Sequence, residues 1–469
     1  MLSRTRLAAR QLSVQLNAVR SVSVWSNVPA GPPDPILGSS PPLAASARLT
    51  RRVPALWAGI TEAFKKDTDP KKINLGVGAY RDADGKPYVL PSVLAAEDKV
   101  IAQRSDKEYL PITGLADFTK AAAVLAYGED SLPLKEGRVA ITQSLSGTGA
   151  LRIAGAFLAR HYPHAKSIYL PAPTWGNHIP IMKDSGLEVK TYAYYDKKTV
   201  GLDFEGLKRD MREAPNKSVF LLHACAHNPT GIDPTREQWK EISKIMKEKE
   251  HFPLIDNAYL GFASGSVDND AFMLRHFVSE GHQLLLCQSF AKNMGLYGER
   301  VGTFSVVCAD KEEKARVDSQ IKINGNDRVW ASKLWIPELT SGLPRSLVRP
   351  MYSNPPVHGA RVASTLLTDK ALNQQWLAEV KVMADRIITM RSTLYDLLNE
   401  LGSKREWGHI KSQIGMFAYL GISPEQVDRL AKEHHVYLTR DGRISVAGIT
   451  NHNVRHLAES LHAVTKDDA

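Results

Sequence analysis

Short apolar runs alternate with helix-patterned stretches along most of this 469-residue chain, and that alternation restricts the fold more than any other feature. RVAITQSLS precedes GALRIAGAFLARHY, SIYLPAP precedes WGNHIPIMKDSG, and SVFLLHACA precedes TREQWKEISKIMKEKE, with FPLIDNAY and QLLLCQSFA continuing the series. Such runs lack the polar alternation of a half-solvated strand and belong in a sheet buried on both faces. The helices between them supply the crossovers that parallel strands require. The expected fold class is therefore α/β, with a large domain built on a mostly parallel sheet flanked by helices. From about Val382 the chain reads as a long helix, then HIKSQIGMFAYLGI, a helix with a capping-like start at Ser423, and RISVAGI. That order is expected to make a smaller α+β domain.

The formal net charge of +10 is unevenly placed. Arg4, Arg6, Arg10 and Arg20 stand in an acid-free opening, and Arg48, Arg51 and Arg52 follow, so the rest of the chain is close to neutral. This distribution argues against a nucleic-acid partner. The opening MLSRTRLAARQLSVQLNAVRSVSVW spaces its arginines among Leu, Val and Ala, is rich in serine and lacks acids, the pattern of a mitochondrial import sequence. Cleavage is expected between Arg20 and Ser23, with the matrix as destination. The three cysteines, Cys225, Cys287 and Cys308, lie in apolar stretches without CxxC or metal-ligand spacing and read as reduced core residues. No apolar run approaches the roughly 20 residues of a membrane span.

Several positions carry candidate chemistry. In QSFAKNMGLYGERVG, Lys292 stands between an apolar run and a Gly-rich turn, where partial desolvation would lower its pKa and free its amine to form a Schiff base. An ordinary solvated lysine fits the same text. Asp256 and Tyr259 close FPLIDNAYLGF; the carboxylate could hold a protonated pyridine nitrogen, or simply cap a helix. Asn228 in HNPTG follows another apolar run, where its amide could serve a ligand or only a turn. The small residues Ser146, Gly147 and Thr148 open a helix directly after a strand, the setting in which backbone N–H groups cradle phosphate. Trp175 could stack on a flat ring or fill the core. Arg443 and Arg349 could each fork onto a carboxylate, and two of them aimed at one pocket would select a dicarboxylate.

The order and spacing of these signals resemble the aspartate aminotransferases, members of the fold-type I pyridoxal-phosphate enzymes. The resemblance runs from about Trp25 to Lys466 through GPPDPILG, TEAFKKDTDPKKINLGVGAYRD, EYLPITGLADF, SGTGALR, PTWGNH, HNPTG, AKNMGLYGERVG, YSNPP and RDGRISVAG, and is nearest the mitochondrial form. It implies pyridoxal 5'-phosphate bound covalently to Lys292, which then shuttles a proton as general acid and base. It further implies Asp256 at the pyridinium nitrogen, Asn228 and Tyr259 at the phenolic oxygen, and Trp175 against the ring. The phosphate would be held by Ser146, Gly147, Thr148, Ser289 and Arg300, joined by Tyr109 from a neighbouring subunit. Arg443 would take the substrate α-carboxylate, Arg349 from the neighbouring subunit the distal carboxylate, and Gly78 would lie beside the substrate. The implied partners are dicarboxylic amino acids, 2-oxo acids and a second copy of the chain.

The resemblance divides the chain into an import sequence at 1–23, an arm and part of the small domain at 24–87, a large domain at 88–381 and the small domain at 382–469. Residues 39–59 and 324–346 depart from the family pattern and read as translated introns of a gene model or as lineage-specific surface loops. An aromatic-preferring aminotransferase of the same fold and a catalytically inert product of the insertions are the competing readings.

Overall fold

The computed structural model describes residues 60–164, 166–322 and 347–467. The expected import sequence and both atypical insertions lie outside these described residues. The main sheet has seven strands: β1 (Val139–Leu145), β2 (Ser167–Ala172), β3 (Glu188–Ala193), β4 (Val219–His223), β5 (Phe252–Asn257), β6 (Leu284–Ser289) and β7 (Val301–Val307). Their spatial order is β1-β7-β6-β5-β4-β2-β3, parallel from β3 to β6, with β7 antiparallel to both β6 and β1. The parallel α/β expectation is met, and one strand is added to it. VGTFSVV escaped the sequence reading because its small and polar residues dilute the apolar signal; buried throughout, it is pinned by neighbours on both edges.

Successive residues of the central strands feed opposite cores. Val219 and Leu221 of β4 pack with α1 (Ser146–His161) on one face, whereas Phe220 and Leu222 pack with helices Arg236–Glu248 and Phe272–Ser279 on the other. Burial on both faces accounts for the continuous apolar runs. All three cysteines are buried and unpaired. Among the described residues no helix is long and apolar enough to cross a membrane.

The smaller unit joins distant parts of the chain. Ile73–Asn74 pairs in parallel with Val436–Tyr437, and Phe417–Tyr419 pairs antiparallel with Arg443–Ser445. The helix Pro424–His434 opens with a capping box between Ser423 and Gln426, as the sequence signal implies. The long helix α2 (Lys370–Glu400) begins before the expected Val382, because the Asp369 carboxylate accepts hydrogen bonds from the N–H groups of Ala371 and Leu372 and fixes its start there. It packs on the helices Pro91–Ala102, His358–Thr368 and Val454–Thr465.

One close approach secures the sheet where β1 ends and β7 begins. Ser146 opens α1 with φ of 58°, its N–H bonded to the Arg300 carbonyl at 3.1 Å, and its backbone lies directly against Gly302 of β7. A Cβ on Gly302 would sit 2.5 Å from the Gln288 carbonyl oxygen and 2.6 Å from the Ser146 carbonyl carbon. Gly302→Ala is therefore expected to lower stability by about 3 kcal/mol, the upper end for an overpacked interior. Urea unfolding checks it, and an unchanged midpoint would disprove the contact.

Candidate active site

The strand order brings functional side chains to one end of the sheet. β1, β4, β5 and β6 end beside one another, and antiparallel β7 begins at the same edge, so the segments after Leu145, His223, Asn257 and Ser289 and the segment before Val301 converge. Loops at the carboxyl ends of parallel strands are where open α/β sheets place their sites. A cavity of about 220 Å³ opens there.

Twelve of the sequence-derived residues line it: Ser146, Gly147 and Thr148 after β1, Asn228 after β4, Asp256 and Tyr259 at β5, Ser289 and Lys292 at β6, Arg300 before β7, Trp175 after β2, and Gly78 and Arg443 from the smaller unit. Tyr109 and Arg349 do not line it. Tyr109 is 82% exposed, and the Arg349 guanidinium donates to the Asn354 side-chain oxygen at 3.3 Å. Those two outliers are neighbours nonetheless, since the Asn354 amide donates to the carbonyl of Leu110 at 2.6 Å.

Asp256 is buried at the end of β5 and is no helix cap, which settles the alternative the sequence left open. Its carboxylate meets His178 Nε2 at 3.0 Å, and His178 Nδ1 meets the Thr174 hydroxyl at 2.7 Å. An ionised carboxylate only accepts, so Nε2 carries the proton. Burial pushes the Asp256 pKa up, but the hydrogen bond and charge of His178, with the Lys292 ammonium, outweigh it and hold the carboxyl below its ordinary range. Behind His178 the ring of His223 packs at 5.3 Å and that of His227 at 4.4 Å from His223. Burial drives the His223 pKa down to about 3 and keeps that ring neutral at physiological pH. In the sequence His178 is marked only by its position in PTWGNH, three residues after Trp175.

Lys292 is half-buried at the cavity wall, its ammonium 5.7 Å from the Tyr297 ring centre. Desolvation, reinforced by the Arg300 charge and partly offset by Asp256, lowers its pKa to about 8. The floor opposite is an anion cradle. No side chain caps the first turn of α1, the Ser146 and Ser289 hydroxyls lie 2.9 Å apart, and a Cβ on Gly147 would stand 3.2 Å from the Ser289 Cβ. The N–H groups of a helix start that no side chain caps, two hydroxyls and the Arg300 guanidinium make a setting suited to a phosphate.

The smaller unit closes the other side. Arg443 donates to the Gly76 carbonyl at 3.0 Å and to the Asn228 side-chain oxygen at 3.4 Å, and its guanidinium lies 4.5 Å from the centre of the Phe417 ring. Its Nε–H is buried with no partner among the described residues. Phe417 also abuts Gly78, where a Cβ would lie 2.7 Å from its ring. Nothing in the sequence reading singled out Phe417, since a phenylalanine in MFAYLGI is indistinguishable from core. Burial, with the Asp256 charge, pushes the Tyr259 hydroxyl well above its ordinary pKa, against the pull of Arg443.

Comparison with known proteins agrees with this geometry. Residues 70–461 match the family model for aminotransferase class I and II. The chain is 51% identical over 447 residues to the mitochondrial aspartate aminotransferase of Gallus gallus, covering 95% of each chain. It is similar to the cytoplasmic aspartate aminotransferase of Saccharomyces cerevisiae, with TM-score 0.80 and 39% identity over 96% of this chain and 100% of that one. An aromatic-amino-acid aminotransferase from Burkholderia pseudomallei, solved covalently bound to pyridoxal phosphate, gives TM-score 0.83 and 36% identity over 94% and 99% of the two chains.

The Lys292 environment makes a measurable prediction. Only a neutral amine is nucleophilic, so labelling of Lys292 in the ligand-free protein by an amine-selective reagent should rise with a midpoint at about pH 8. Unperturbed lysines titrate near ~10.4. Peptide mass spectrometry across pH reads both classes in one sample, and a Lys292 midpoint coinciding with surface lysines would remove its special standing.

Proposed function

The chain belongs to the class I and II aminotransferase family, and on that premise we propose that it is a pyridoxal-phosphate-dependent aspartate aminotransferase. It moves the amino group reversibly from L-aspartate to 2-oxoglutarate, giving oxaloacetate and L-glutamate. The observation that carries this reading is the convergence of Lys292, the anionic Asp256 with its His178 partner, and Arg443 on one small cavity.

The residues present suit the cofactor. The uncapped first turn of α1, with Ser146, Gly147, Thr148, Ser289 and Arg300, would hold its phosphate. Asp256, kept ionised by His178, would face the ring nitrogen and keep a proton there. Asn228 and Tyr259 would donate to the phenolic oxygen, and Trp175 would cover the ring. When bound, pyridoxal phosphate supplies a conjugated ring that accepts the electron pair left on the substrate α-carbon. Lys292 would hold the cofactor through its amine until substrate replaces it, then take the proton from the substrate Cα. A pKa of about 8 leaves a useful fraction of neutral base at mildly alkaline pH.

Arg443 would orient the substrate through its α-carboxylate, and the orphaned Nε–H is a donor awaiting such an acceptor. Arg349 and Tyr109 lie together on the surface and outside the cavity of their own chain, which supports a homodimer in which Arg349 of the partner subunit meets the distal carboxylate and Tyr109 of the partner subunit the phosphate. In this reading the described residues of 88–381 belong to the cofactor domain, and those of 24–87, which comprises an arm and part of the smaller domain, join 382–467. The arginine-rich, acid-free opening and the mitochondrial relatives support action in the mitochondrial matrix.

The structural neighbour that acts on aromatic amino acids motivates one competing reading, a preference for aromatic substrates. Purified protein reconstituted with pyridoxal phosphate should be yellow, and L-aspartate should bleach it. Lys292→Ala should cut turnover about 10⁴-fold, the upper range for loss of a general base. Arg349→Leu should reduce kcat/KM for L-aspartate about a hundredfold, as loss of charge-assisted hydrogen bonds implies, with phenylalanine turnover little changed. Equal losses for both substrates would refute the role of Arg349, and a colourless protein would refute the reading as a whole.

A further inference from the structure

Arg391 is a charged residue with no task in the transamination chemistry. It projects from α2 into the core with 2% of its surface exposed. Among the described residues no carboxylate meets it; its guanidinium donates instead to three backbone carbonyls, Ile410 at 3.1 Å, Gly415 at 2.8 Å and Phe417 at 2.5 Å. Burial pulls its pKa down to about 9. A buried cation without a counter-ion is costly, and only convergent acceptors offset that cost.

Those acceptors belong to a segment that touches several parts of the substrate end of the cavity. Phe417 lies under Arg443 and against Gly78. Tyr419 is paired directly with Arg443 across the small sheet. The Ile414 N–H donates to the Gly231 carbonyl at 2.7 Å, and Gly231 N–H donates to the His227 carbonyl at 2.6 Å, closing the turn that carries Asn228. A Cβ on Gly231 would stand 2.6 Å from the Phe417 carbonyl oxygen, so turn and segment are in close contact.

We propose that Arg391 is a positioning residue for carboxylate recognition: its planar fork gathers the carbonyls of 410, 415 and 417 and thereby fixes Phe417 and the strand partner of Arg443. The proposal rests on the aminotransferase reading for the identity of the ligand. It predicts a division of effects. Lys292, Asp256 and the anion cradle stand on the large sheet and do not depend on this segment, whereas Arg443, Phe417 and the Asn228 turn do. A lysine keeps the charge but cannot reproduce a fork onto separated carbonyls.

The test uses the full chain reconstituted with pyridoxal phosphate. In Arg391→Lys the Kd for succinate, an unreactive dicarboxylate, should rise about tenfold or more, equivalent to about 1.4 kcal/mol. KM for L-aspartate and 2-oxoglutarate should rise together while kcat stays within about threefold, the mark of lost binding rather than lost chemistry. The yellow band should form on reconstitution as it does in the parent protein. In an Arg443→Leu background the same change should alter kcat/KM less than about twofold, because residues acting through one another are not additive. Unchanged succinate affinity, or a full additional loss in the Arg443→Leu background, overturns the proposal. Phe417→Leu removes the ring contact through which the segment would hold Arg443 and leaves the Arg391 bonds to the backbone in place; it should raise the succinate Kd in the same sense, and unchanged succinate affinity there overturns the proposal should Arg391→Lys fail to fold. Failure of the parent protein to transaminate would refute the functional reading instead, while succinate binding tests Arg391 without turnover.

Discussion

A single buried negative charge organises this molecule's working end. Asp256 sits where β5 ends, and an ionised carboxylate in such surroundings persists only if donors and cations compensate it. His178 supplies the donor, Thr174 orients His178, and the Lys292 ammonium contributes from across the cavity. His178 comes from the helix after β2, Asp256 from β5 and Lys292 from the loop after β6, so the compensation is possible only because the sheet order sets these strand ends side by side. The neighbouring imidazoles of His223 and His227 take no part as cations, since burial holds both neutral.

The cavity joins two kinds of construction. The anion cradle and the lysine are fixed by the sheet, whose backbone approaches α1 so closely that Gly302 has no space for a side chain. The carboxylate end is assembled from the smaller unit, where Arg443 hangs on a three-residue strand pair and on the aromatic ring of Phe417. In the proposed reading the sheet-borne parts would meet the cofactor. A lighter scaffold, braced by side chain to backbone hydrogen bonds, would meet the substrate, which is exchanged in every cycle of that reading.

Much of this was legible in the sequence, for identifiable reasons. The doubly buried strands announced themselves as apolar runs, and Lys292, Asp256, Asn228 and Ser146 each stand at the end of such a run, where motif and strand boundary coincide. Asp369 as the start of α2 and β7 as a strand were not legible, because each depends on context: a cap on the N–H groups that turn toward its carboxylate, and a diluted strand on neighbours at both edges. Phe417 and Arg391 were hidden more deeply. Their importance lies in what their contacts hold in place, and neither residue type nor spacing encodes that. Tyr109, and the placing of Arg349 on a neighbouring subunit, came from family resemblance, and a single chain puts the two only on a common surface patch.

The pairing of Ile73–Asn74 with Val436–Tyr437 has a consequence for how the protein is made. The first strand of the smaller unit emerges from the ribosome long before its partner, and Phe417 and Arg443 are themselves late to appear. A nascent chain can complete the big sheet while its carboxylate-binding end still lacks half its parts. On the proposed roles of Phe417 and Arg443, activity would begin only once synthesis has run nearly to the last helix, and a chain released early would be incompetent toward its substrate even with every strand of the main sheet in place.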